Sequence, residues 1–240
     1  MRRRARLSFP LVLVLFSPSF FGQTPGAPQA PSAEMAPLAA SHYQRGLQAI
    51  QKGELATAVR EFRLAVKYAP KSGPAHNSLG WAFLETSEVD RAAIEFRKAI
   101  ALEPQFTEAY FNMARALERR NDLDGAMQFY QHALRQRPEW ADAHAALGVV
   151  LSHRGNLLGA RNEFEAAATL TTNTGARQLR EGNVDGAIEQ FRVALKLAPN
   201  HAPAHHQLGM ALREKGDLAQ AATEFEKAHQ LDPRLRPPRN

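Results

Sequence analysis

The chain has 240 residues, 22% of them charged, no cysteine, a formal net charge of +6 and a pI near 9.9. Without cysteine there is neither a disulfide framework nor a thiol nucleophile, and an N-terminal lipid-modified Cys is excluded. Arg2, Arg3, Arg4 and Arg6 carry four of the positive charges, so the rest is only +2, with both signs mixed along it; no basic stripe suited to nucleic acid remains.

In chain order, the first 22 residues combine a basic start, an apolar run from Leu7 to Phe16 and small or turn-forming residues, the layout of a signal peptide. The run is shorter than the roughly 20 residues of a membrane span and holds Pro10. Cleavage is expected after Ser19, close to residue 22, giving an exported protein, periplasmic or secreted; an uncleaved signal anchor is the alternative. Residues 23 to 38 include QTPGAPQAPSAEMAP, read as a flexible linker.

From Ala39 onward a 34-residue pattern recurs, with blocks starting at Ala39, Gly73, Thr107, Ala141 and Ala202. One column holds Gly46, Gly80, Ala114, Gly148 and Gly209. Another holds Phe62, Phe96, Tyr130, Phe164, Phe191 and Phe225, flanked by alanines such as Ala92 and Ala99. Blocks close on Pro70, Pro104, Pro138, Pro199 and Pro233, with Thr172 the exception. In each half-block the apolar positions fall at i, i+3, i+4 and i+7, the spacing of an amphipathic helix. Two antiparallel helices per block follow, and only stacked pairs can bury their apolar faces, which predicts a solenoid. Asp90 and Asp124 are read as N-caps.

The fifth unit is short: Phe164 and Phe191 are 27 residues apart where 34 is the rule. The expected arrangement is units one to four over 39 to 172, then units five and six over 173 to 235, and a tail at 236 to 240. The missing seven residues are assigned to the first helix of unit five, leaving a stub at Ala176 to Glu181 after a turn Thr171-Thr172-Asn173-Thr174-Gly175.

The columns of small residue, Ala, aromatic, Ala and Pro resemble the tetratricopeptide repeat over Ala39 to Leu235. The resemblance implies an all-α, right-handed superhelical solenoid of antiparallel helix pairs that acts as a scaffold. Its carboxylate clamp, Lys at the fifth place and Asn at the ninth, has no match: Tyr43 and Leu47, Asn77 and Trp81, and Phe111 and Arg115 stand there.

First helices line the concave wall of such a stack, where Tyr43, Leu47, Asn77, Trp81, Leu84, Phe111, Arg115, Glu118 and Val149 fall. Of these, Tyr43, Leu47, Asn77, Trp81, Phe111, Arg115 and Val149 form the expected groove for a protein or peptide, with the aromatic rings as anchors clear of the helix seam. His42, His76, His144 and His205 share one column, but equivalent residues of neighbouring helices lie roughly 8–10 Å apart, too far for one zinc ion. No catalytic motif is present, and Glu61, Glu95, Glu163, Glu189 and Glu224 recur as a solvated face. The expectation is a binding scaffold with no enzyme activity, cofactor or metal. The second reading is an assembly subunit that self-associates through a C-terminal unit lacking a capping helix.

Overall fold

The computed structural model describes residues 25 to 28 and 36 to 236. The expected signal peptide and the end of the tail lie outside them. Eleven α-helices follow in order: α1 (Pro37–Gln51), α2 (Leu55–Tyr68), α3 (Gly73–Glu85), α4 (Val89–Leu102), α5 (Thr107–Arg119), α6 (Leu123–Gln136), α7 (Ala141–His153), α8 (Leu157–Arg180), α9 (Val184–Leu197), α10 (Ala202–Lys215) and α11 (Leu218–Leu231). Consecutive helices pair antiparallel and the pairs stack into a solenoid, the expected fold. No helix of the described residues is long and apolar enough to cross a membrane.

The small and aromatic columns meet inside each pair. A Cβ on Gly46, Gly80, Gly148 or Gly209 would stand 2.5–2.8 Å from the ring of Phe62, Phe96, Phe164 or Phe225, so only a residue without a side chain lets the second helix come this close. Phe62, Phe96, Tyr130 and Phe191 are fully buried.

The caps differ in detail from the sequence reading. Asp122, Asn156, Asn183 and Asp217 accept from the backbone amide three residues on, and Ser72 does the same at α3. Asp90 and Asp124 sit inside the first turn instead, where Arg120 and Arg154, just past the end of the next unit's first helix, pair with them.

The histidine column is structural. His76, His144 and His205 place Nδ1 2.5–2.6 Å from Glu95, Glu163 and Glu224 of their own unit's second helix. Their Nε2 atoms donate to the carbonyls of Pro70, Pro138 and Pro199 at 2.9–3.1 Å, so each ring ties a unit to the proline that closes the one before. His42 pairs with Glu61 at 2.9 Å. The partner changes with the residue: where Tyr110 replaces His, the second helix carries Phe129, with ring centroids 6.1 Å apart. These glutamates are therefore not a solvated face, and Glu189, one place off the column, pairs with exposed Arg192.

A pH dependence follows. The His42 hydrogen bond holds the Glu61 carboxyl below the usual glutamate value of 4.5. At Glu95 and Glu224 burial pushes the other way, but bonds from His76 and Lys98, and from Lys227 and His205, outweigh it and the net direction is again down. A depressed carboxylate stabilises the fold fully above its unfolded value, and that contribution disappears as pH falls through the folded one. Urea midpoints should thus be level from pH 6 to 5 as far as these groups go and fall below about 4.5, and Glu95→Gln should shrink the acid-side drop.

Unit five departs from expectation most. No turn and no stub exist: α8 runs unbroken for 24 residues, joining the second helix of unit four to the first helix of unit five. A Cβ on Gly175 would stand 2.7 Å from the Phe191 ring, so Gly175 is the small-column residue of unit five, sixteen before its aromatic as Gly80 is before Phe96. Counting back, unit five begins at Ala168, and what is missing is the inter-unit loop with its proline, not two turns of helix. Thr169, Thr171 and Thr174 look like turn residues, yet their hydroxyls donate to carbonyls four residues back in the same helix.

Phe164 and Gly175 are eleven residues apart, about 20° around the helix at 100° per residue, so α7 and α9 pack on one side of α8, one after the other along its length. The core divides accordingly. One cluster runs from α1 to the start of α8, and a second, with Ala187, Phe191 and Phe225, fills α9 to α11. His201 bridges the junction, its Nδ1 2.9 Å from Glu165 on α8.

Candidate peptide groove

The concave wall is made by α1, α3, α5 and α7. Leu47, Arg115 and Val149 are part-exposed on it, whereas Tyr43, Asn77, Trp81 and Phe111 are at least 96% buried. The expectation that the rings stand clear of the seam is thus corrected. Phe111 lies against Tyr130 and Trp140, with centroids 5.4 and 4.5 Å away, because its place on α5 faces both its own second helix and the start of α7. Tyr43 meets Phe62 edge-on, and its hydroxyl donates to Ser78 Oγ of the next unit at 2.7 Å. Burial pushes the Tyr43 phenol up to about 12 against the opposing effect of that bond, so it stays a neutral donor. These rings lock units together.

The polar residues between them do something else. Asn77 on α3 and Asn112 on α5 are both buried, and Asn112 Nδ2 donates to Asn77 Oδ1 at 3.0 Å. The same nitrogen donates to the carbonyl of Gly26 at 2.8 Å. Arg115, held by Glu85 at 2.9 Å, reaches the Pro25 carbonyl with its other nitrogen at 3.5 Å. Gly26 is buried and Ala27 packs on the apolar cluster of units one to four. The segment read as an unstructured linker therefore puts residues 25 to 28 on the concave wall, where side chains of α5 receive its main chain. Gly26 has φ +76°, the value the residue after proline takes in a type II turn.

The place in the repeat that gives Asn77 does not give Asn112, which sits one place beyond the equivalent position on α5. Two signals were available: an amide among apolar neighbours in MAR-preceding YFN, and the Pro25-Gly26 dipeptide, a strong turn marker. Two buried polar atoms have no partner here, Asn112 Oδ1 and the indole nitrogen of Trp81, which is one turn along α3 from Asn77. Among the described residues no group of three His, Asp or Glu side chains could hold a metal ion.

Repeated helix pairs, a graded concave wall and a ladder of inter-unit clasps define a helical-repeat solenoid. Three models of the tetratricopeptide repeat match the sequence, at residues 43–105, 88–150 and 202–235, together more than half of it. The chain belongs to the tetratricopeptide repeat family.

Among solved structures, Cut9 in the APC/C hetero-tetramer Cut9–Hcn1 is similar at 20% identity and TM-score 0.52, over 81% of this chain and 40% of that one. A MamA protein is similar at 20% identity and TM-score 0.47, over 82% of this chain and 93% of that one. YrrB, described as a tetratricopeptide protein with an unusual peptide-binding site, has 22% identity and TM-score 0.44, over 73% of this chain and 94% of that one. The likeness is one of fold. No curated protein matches.

Proposed function

We propose that the chain is a non-enzymatic scaffold that holds an extended segment of a protein partner in the concave groove of units one to four. One observation carries this reading: main chain already lies there, its carbonyls received by Asn112 and Arg115. Recognition of backbone carbonyls by fixed amides and a guanidinium suits a peptide and needs no reacting group. The exposed wall residues Leu47, Arg115 and Val149 supply the remaining contact, with Arg115 and Glu85 fixing direction more than adding affinity.

A photo-crosslinking side chain at Leu47 or Val149 should join to the partner, and one at exposed Ile94 or Leu102 on the second-helix face should not. Adducts confined to Ile94 and Leu102 would place the partner on the convex side and end the groove reading.

The apolar run Leu7 to Phe16 behind a cluster of arginines supports export, so protein recovered outside the cytoplasm should begin near residue 20 to 23. Self-association is the second reading, favoured by Leu218 and Leu231, exposed on the last helix with no helix packed beyond α11 among the described residues. Light scattering across a concentration series reads it directly.

A further inference from the structure

We infer that the groove of units two and three is a receptor for a Pro-Gly turn followed by a small residue, and that the chain's own Pro25-Gly26-Ala27 occupies it as a tethered stand-in for the partner. The inference rests on the groove reading above and specifies its ligand.

Three observations select the turn. A Cβ on Gly26 would stand 2.0 Å from Asn112 Oδ1 and 2.8 Å from its Cγ, and the residue's φ of +76° is one that L side chains rarely adopt. The site therefore rejects every side chain at that position, by contact and by backbone conformation together. Proline fixes the preceding φ near −65°, so a Pro-Gly pair arrives with the turn preformed and loses little entropy on binding. The carbonyls it presents are the two acceptors that Asn112 Nδ2 and Arg115 Nη1 meet, at 2.8 and 3.5 Å.

A fourth observation shows the seat is not completed by its present occupant. Asn112 Oδ1 and Trp81 Nε1 are buried without partners, one acceptor and one donor at an otherwise satisfied wall. The tethered segment, at an effective concentration of order millimolar, keeps weaker chains out.

The test uses the full chain and a fluorescein-labelled peptide, QTPGAPQ, with the sequence of residues 23 to 29. Gly26→Val in the protein should expel the tether, and fluorescence anisotropy should then show the peptide binding at least tenfold tighter than to the unsubstituted chain. Adding Asn112→Leu should reverse the gain at least tenfold; if that variant unfolds, part-exposed Arg115→Gln should reverse it at least threefold. The same peptide carrying Gly26→Val should not compete. Equal binding to the two chains, no binding to either, or competition by the valine peptide would each overturn the inference. Crosslinking to the partner at Leu47 or Val149 in a Gly26→Val chain that ignores the peptide would retain the groove and discard the Pro-Gly turn; loss of both would discard the two together.

Discussion

Thr172→Pro should destabilise the protein by about 3 kcal/mol or more, although every other unit carries proline in that column. In those units the proline follows the last turn of a helix that has ended. Here residue 172 is in the middle of α8, so proline removes the bond to the carbonyl of Ala168 and drives its ring into that carbonyl. Ala168 belongs to the small cluster with Ala194, Ala198 and Ala204 that seals the junction of α8, α9 and α10, which leaves little room for a kink. Thr172→Ala is the control. It removes a buried hydroxyl that has no partner and installs a better helix former, so its effect should stay within about 1 kcal/mol. Chemical denaturation followed by circular dichroism separates the two; a Thr172→Pro variant as stable as Thr172→Ala would show that α8 tolerates a break.

Phe111→Ala should cost about 3–5 kcal/mol, the usual range for truncating a buried aromatic ring. The ring is 97% buried and touches both Tyr130 of its own unit and Trp140 at the entrance of the next, so the cavity opens between two units and cannot close by a local side-chain shift. Trp81→Ala should cost somewhat less than a ring of that size suggests, because it also removes an unpartnered indole N–H. Neither substitution is a clean probe of ligand binding. Leu47→Ala and Val149→Ala, part-exposed on the same wall, should change melting little and are the ones on which to measure affinity. If Phe111→Ala melted with the unsubstituted protein, the ring would belong to the groove after all.

Much of the fold is legible from spacing alone. The helices of units one to three and six, and the first helix of unit four, begin and end within a few residues of where apolar periodicity, turn glycines and closing prolines put them, because each unit repeats the same local solution. The fused helix is not legible in that way. Thr171 to Gly175 has turn composition, and Gly175 reads as a breaker until Phe191, sixteen residues on, shows that its lack of a side chain serves packing. Packing against α7 and α9 overrides a poor local propensity, and no window confined to α8 contains that information. The groove divides similarly. Positions on the wall follow from place in the repeat, which puts Asn77 and Arg115 beside the segment at residues 25 to 28. Which of them are buried depends on the neighbouring unit, as with Phe111 and Trp140, and the seat for Gly26 depends on residues 86 positions apart.

The continuity of α8 also sets which lengths this molecule can tolerate. Seven residues correspond to about −20° of rotation and eleven to about +20°, while a single residue turns everything beyond it by about 100°. The eleven residues from Phe164 to Gly175 therefore keep the α7-facing and α9-facing sides of α8 in phase, whereas one residue more or fewer between them would swing the Gly175 face about 100° away. Insertions or deletions in α8 are admissible in steps of a heptad or a hendecad, each moving units five and six along the rod by roughly 10–16 Å with their faces unturned. A lineage could in this way change the distance between its two blocks in discrete notches, without redesigning a single contact inside either.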